Sequence, residues 1–110
     1  LIMKKLITGS FVAFALATLV SPAALATGPE VFKEQGCTGC HSVTVAGIAR
    51  NPVHDEEAKD LSTVGSRYDK KAIALFMLKK TEHNGEKHKK LFAGTTEQLK
   101  TLAEWLETLK

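Results

Sequence analysis

The chain is poor in several residue types: 110 residues hold only two cysteines, one tryptophan, one tyrosine and three prolines. Both cysteines, Cys37 and Cys40, fall in the stretch "CTGCH". They cannot cross-brace a fold, because a Cys37–Cys40 bond closes a loop too short to remove much entropy from the unfolded chain. No segment alternates apolar and polar residues for long, which argues against a sheet-based domain. Internal repeats and low-complexity tracts are missing as well. A second C-x-x-C or H-x-x-H pair is missing too, which weakens the reading of a four-ligand structural zinc site. The longest apolar run, Leu6 to Val20, is interrupted by Thr8, Gly9, Ser10 and Thr18, and falls short of the roughly 20 apolar residues a membrane span needs.

That run has another reading. Lys4 and Lys5 precede it, Pro22 ends it, and Ala24-Leu25-Ala26 offers a small-x-small cleavage site. The pattern predicts a cleaved secretory signal over residues 1–26, no membrane anchor after cleavage, and one mature domain over residues 27–110. Part of the formal net charge of +3 belongs to the signal, so the mature domain is close to neutral. A near-neutral domain with no recognition motif gives no support for nucleic-acid binding. The charge is nevertheless uneven: residues 27–60 are net acidic and residues 61–110 net basic. A domain this small buries a modest core and commonly relies on a disulfide, metal or cofactor.

Three helices are expected. Over 27–36, Thr27 or Gly28 can cap, Pro29 suits the first turn, and Glu30 favours the positive helix end. Over 67–80, Asp69 stands near the start, Lys79 and Lys80 suit the end, and Ala72, Ile73, Phe76 and Met77 recur at helical spacing. Over 95–110, Thr95 or Thr96 can cap with Glu97 and Gln98 placed for a capping box. Leu99, Leu102, Ala103, Leu106 and Leu109 then form an apolar stripe with Trp105 on its edge. Residues 42–66 carry turn signals at Gly47, Asn51-Pro52 and Gly65, and a loop that long is uncommon unless it wraps something. Residues 81–94 read as a polar loop turning at Asn84-Gly85. The fold class is all-α.

"CTGCH" admits three chemistries. A thioredoxin-type pair requires a strand running into a helix, and no such strand is expected here. Zinc would find at most three ligands in Cys37, Cys40 and His41. Covalent haem attachment needs what is present: two thiols at i and i+3 that add to neighbouring vinyl groups, and an imidazole at i+4 that turns onto the iron. Export agrees, since this attachment is made outside the cytoplasm.

The resemblance extends further. "VFKEQGCTGCHSV", "DLSTVGSRY" and "LAEWLETLK" together resemble a class I bacterial cytochrome c with a single haem. The resemblance implies a small cytochrome c fold, three to four helices wrapped around one covalently attached haem c with its iron. It implies that Cys37 and Cys40 form the thioethers, that His41 is the proximal ligand, and that Val31 and Phe32 pack near Leu102 and Trp105. In that family the distal ligand is usually a Met in the loop before the last helix. Here His88 stands in that loop, seven residues before Thr95. The candidates are His88, with Met77 as the alternative, and then His83 and His54, which read more simply as solvated side chains. An open or water-bound site is the remaining case. Two imidazoles lower the reduction potential relative to a histidine–methionine pair. The family's acceptor for the proximal histidine lies ahead of its "L" motif, where this chain has Lys59-Asp60 before Leu61.

The expected function is one-electron transfer in the periplasm by a monomer that is not an enzyme. Leu61, Phe76, Leu91 and Phe92 are expected to shield the haem, and Arg67 or Tyr68 to meet a propionate. The other readings are a haem-based sensor with a displaceable sixth ligand and a cytochrome subunit of a larger oxidoreductase. Lys79, Lys80, Lys87, Lys89 and Lys90 surround the distal loop and are expected to steer acidic redox partner proteins.

Overall fold

The computed structural model describes residues 26–51 and 59–110. The expected signal up to Leu25, and His54 with its acidic neighbours, lie outside the described residues. Helix α1 spans Gly28–Glu34, α2 Lys70–Met77 and α3 Thr96–Glu107, with single 3-10 turns at Cys37–Gly39, Thr44–Ala46 and Val64–Ser66. Among the described residues, the strands are β1 (Glu82–His83) and β2 (Glu86–Lys87), one antiparallel hairpin. The domain is all-α apart from this hairpin. Its turn is Asn84-Gly85, both left-handed at φ 54° and 79°, the conformation whose twist suits a two-residue hairpin loop.

Local chemistry sets the helix starts. At α1, Thr27 Oγ1 accepts from Glu30 N (3.4 Å) while Glu30 Oε1 accepts from Thr27 N (2.8 Å). Thr95 and Gln98 repeat this capping box at α3, at 3.1 and 2.8 Å. Asp69 caps α2 through Ala72 N at 2.8 Å. Glu107 adds an inter-helix cap, its Oε2 accepting from Lys70 N at 2.9 Å. Helix α2 is shorter than the 67–80 expected from periodicity. Lys79 turns left-handed at φ 59°, and Lys79 N and Lys80 N close the helix onto Phe76 O and Leu75 O. That is a Schellman ending made with lysine in place of glycine, and it leaves Lys79 and Lys80 beyond the helix.

The core forms where α1 meets α3. Val31, Phe32 and Leu102 are fully or almost fully buried, with Ala103 and Leu106 beside them. The Phe32 ring meets Trp105 edge-on, centroids 5.8 Å apart at 71°. Close approach requires Gly28, where an added Cβ would lie 2.2 Å from Trp105 Cβ. Ile73 and Met77 complete the core from α2, and Val43, Ile48, Val64 and Leu109 from the loops and C-terminus. The long middle loop is organised: Val43 and Ile48 exchange backbone hydrogen bonds of 2.8 and 3.0 Å, and Gly65 N donates to Leu109 O at 2.7 Å. Among the described residues, no helix is long and apolar enough to cross a membrane.

Substituting Gly28→Ala should force α1 and α3 apart and lower stability by about 1–3 kcal/mol. Chemical denaturation of the holoprotein measures this, and an unchanged midpoint would contradict the close contact.

Candidate functional site

The chain leaves α1 at Gln35-Gly36 and winds at once through Cys37–Gly39. Cys40 N and His41 N both donate to Cys37 O, at 3.1 and 2.9 Å. One turn of backbone therefore carries both thiols and the imidazole. The cysteines are half-buried and not bonded to each other. Burial pushes the Cys37 thiol above its ordinary pKa, opposed by the nearby Lys90 ammonium.

The His41 ring is fixed from behind. Its Nδ1 lies 2.8 Å from Lys59 O; a carbonyl only accepts, so Nδ1 carries the proton. Burial lowers the His41 pKa; the Lys59 bond opposes this and His88 adds to it. The ring is thus held neutral with its lone pair on Nε2. His88 repeats the arrangement, its Nδ1 donating to Lys90 O at 2.5 Å. The two ring planes are almost parallel, 7° from each other, with centroids 6.2 Å apart.

This spacing matches a metal held between them. Two imidazole–metal bonds of about 2.0–2.1 Å, plus roughly 1.15 Å from each nitrogen to its ring centre, place the centroids about 6.3–6.5 Å apart. A backbone carbonyl on the far nitrogen of each ring is the usual support for a ligating histidine. The donor set, two half-buried thiols and two near-parallel imidazoles each backed by a carbonyl, fits a covalently attached haem. It does not fit a bare ion, since no group of three or more His, Cys, Asp or Glu among the described residues could hold one.

The loop carrying His88 is tied down at three points. Phe92 N donates to Met77 O at 3.0 Å, Lys90 Nζ donates to Gln35 O at 2.9 Å, and Phe76 stands edge-on to the His88 ring at 5.2 Å. Gln35, Cys37, Met77, His88, Lys90 and Phe92 line one cleft. Met77 is only 8% exposed and belongs to the hydrophobic core, the packing role its helical register implied.

Several expectations are revised. His83 is not simply solvated; it is half-buried between Tyr68 and Phe76, at centroid distances of 4.5 and 4.2 Å. The Arg67 guanidinium lies 6.0 Å over the Tyr68 ring. Leu91 is 53% exposed on the protein surface, while Leu61, Phe76 and Phe92 are half-buried. Lys90, though exposed, is tied by its Nζ to Gln35 O. The acceptor for His41 is the Lys59 carbonyl. Residues 59 and 41 are far apart in sequence, and a backbone oxygen leaves no side-chain signal by which to find it.

The fold and site define a small helical domain built to hold haem through a C-x-x-C-H turn. The family model described as Cytochrome c matches residues 25–110, and the chain belongs to that family. Membership brings a covalently bound haem c with its iron and the role of a haem-based electron carrier. No curated protein and no solved structure matches the chain.

Lys90→Met keeps the apolar stem and removes the donor to Gln35 O. Unfolding of the holoprotein by denaturant should show a loss of about 0.5–1 kcal/mol. Lys80→Met should stay within about 0.5 kcal/mol of wild type. Equal effects of the two would contradict a structural role for Lys90.

Proposed function

We propose that the protein is a periplasmic carrier of single electrons, exported under the signal at residues 1–26 and working as a monomer. Its domain, residues 27–110, holds one haem c through thioether bonds to Cys37 and Cys40, with His41 and His88 as the axial ligands. One observation carries the reading. The His41 and His88 rings are parallel, 6.2 Å apart, and each donates from Nδ1 to a backbone carbonyl.

The haem supplies a reversible Fe(III)/Fe(II) couple. The chain's own residues hold and shield it. Cys37 and Cys40 would anchor it, and the two carbonyl-backed imidazoles of His41 and His88 would hold its iron, leaving no open position for a substrate. Phe76, Phe92 and Leu61 limit water near the metal. Bis-imidazole ligation favours the oxidised state relative to a histidine–methionine pair, so the carrier suits the low-potential end of an electron-transfer chain. Partners are acidic redox proteins that dock on exposed Leu91 and the flanking Lys79, Lys80, Lys87 and Lys89, none of which supplies an axial ligand. Rising salt should slow such an association, and a flat salt response in stopped-flow kinetics would contradict this partner class.

His88→Ala should convert the oxidised protein from low-spin to high-spin absorption and let the reduced form bind carbon monoxide, while wild type resists it. Met77→Leu should leave the low-spin spectrum unchanged. A His88→Ala protein that stays low-spin would overturn the distal assignment. Rapid carbon monoxide uptake by wild type would favour a haem-based sensor with a displaceable sixth ligand.

A further inference from the structure

Asp60 follows directly on the carbonyl that accepts the His41 proton, and its side chain is the centre of a network. Asp60 Oδ1 accepts from Thr44 N at 2.9 Å and from Ser42 Oγ at 3.2 Å. Ser62 Oγ lies 3.2 Å from Oδ1 and 3.0 Å from Oδ2, and itself accepts from Val45 N at 3.0 Å. The backbone adds one bond in the same place, Leu61 N to Ser42 O at 2.9 Å. Residues 59–62 are thus laced to residues 42–45, the segment leaving His41. The carboxylate is exposed, so its placement comes from these bonds and not from burial. They hold its pKa below the usual carboxylate range, the Thr44 backbone bond contributing most.

The consequence concerns both ends of one hydrogen bond. The imidazole of His41 is carried by the chain that Asp60 grips at Ser42 and Thr44. The acceptor, Lys59 O, belongs to the residue bonded to Asp60 itself. Asp60 therefore helps set how closely Nδ1 and Lys59 O approach. The closer they are, the more basic Nε2 becomes as a ligand, and a more basic ligand favours the oxidised metal.

We infer that Asp60 is a positioning residue that sets the strength of the His41–Lys59 hydrogen bond and through it lowers the reduction potential of the haem. The inference rests on His41 being an axial ligand. It adds a tuning element outside the ligand set.

The test compares wild type with Asp60→Ala, Asp60→Asn and Ser62→Ala as holoproteins. Each is measured by potentiometric titration and by magnetic resonance of the ring nitrogens in histidine-labelled protein. Asp60→Ala should raise the midpoint potential and speed exchange of the His41 Nδ1 proton with solvent. Asp60→Asn keeps one acceptor oxygen and should fall between. Ser62→Ala should move both readouts the same way by less, and serves if the alanine variant does not mature. The wild-type spectrum tests the underlying reading separately. If the His41 ring nitrogens show no iron-induced shift, the axial assignment fails, and the inference with it. If that shift is present but potential and exchange in every matured variant equal wild type, His41 remains a ligand and Asp60 only braces a loop, which overturns the inference.

Discussion

Two hydrogen bonds from imidazole Nδ1 to backbone carbonyls, His41 to Lys59 and His88 to Lys90, carry the rest of the structure's meaning. Each fixes a tautomer, and each thereby leaves a lone pair on the nitrogen available to a metal. Because the acceptors are main-chain oxygens, ring orientation depends on loop position. His41 comes off the turn that ends α1, while Lys59 reaches it from the far end of the middle loop. His88 and Lys90 belong to one loop, which is pinned to Gln35 O through Lys90 and to Met77 O through Phe92.

The loops in turn depend on a small core. Phe32, Leu102 and their neighbours weld α1 to α3, and the direction of α1 fixes where the Cys37–Gly39 turn begins. Helix α2 presents Met77 to that core and Phe76 to His88. Packing and ligand geometry are thus shared by adjacent residues of one helix. This coupling explains why a domain with so little buried surface can hold two imidazoles in register. It also explains why charged side chains such as Lys90 act as clasps and not only as a docking surface.

The legible part of the sequence was its local chemistry. Thr27 with Glu30, and Thr95 with Gln98, announce two helix starts because a capping box needs only a three-residue spacing. The C-x-x-C-H turn and the Asn84-Gly85 hairpin turn are short-range in the same way. The illegible part was what the backbone does at long range. The resemblance placed the His41 acceptor ahead of Leu61, but every residue there carries a carbonyl, so the letters did not single out Lys59. Lys79 ends α2 left-handed, a conformation in which lysine is uncommon, so periodicity overran the helix. Lys90 looked like one more surface lysine, and His83 like a solvated histidine, until the fold set the one against Gln35 and the other between Tyr68 and Phe76.

The most direct test of the central claim is a low-temperature electron paramagnetic resonance spectrum of the oxidised protein. Two imidazoles with planes 7° apart should give a low-spin, rhombic signal of the kind produced by parallel ring planes. A high-spin signal, or a low-spin signal accompanied by a sulfur-to-iron charge-transfer band, would contradict axial ligation by His41 and His88.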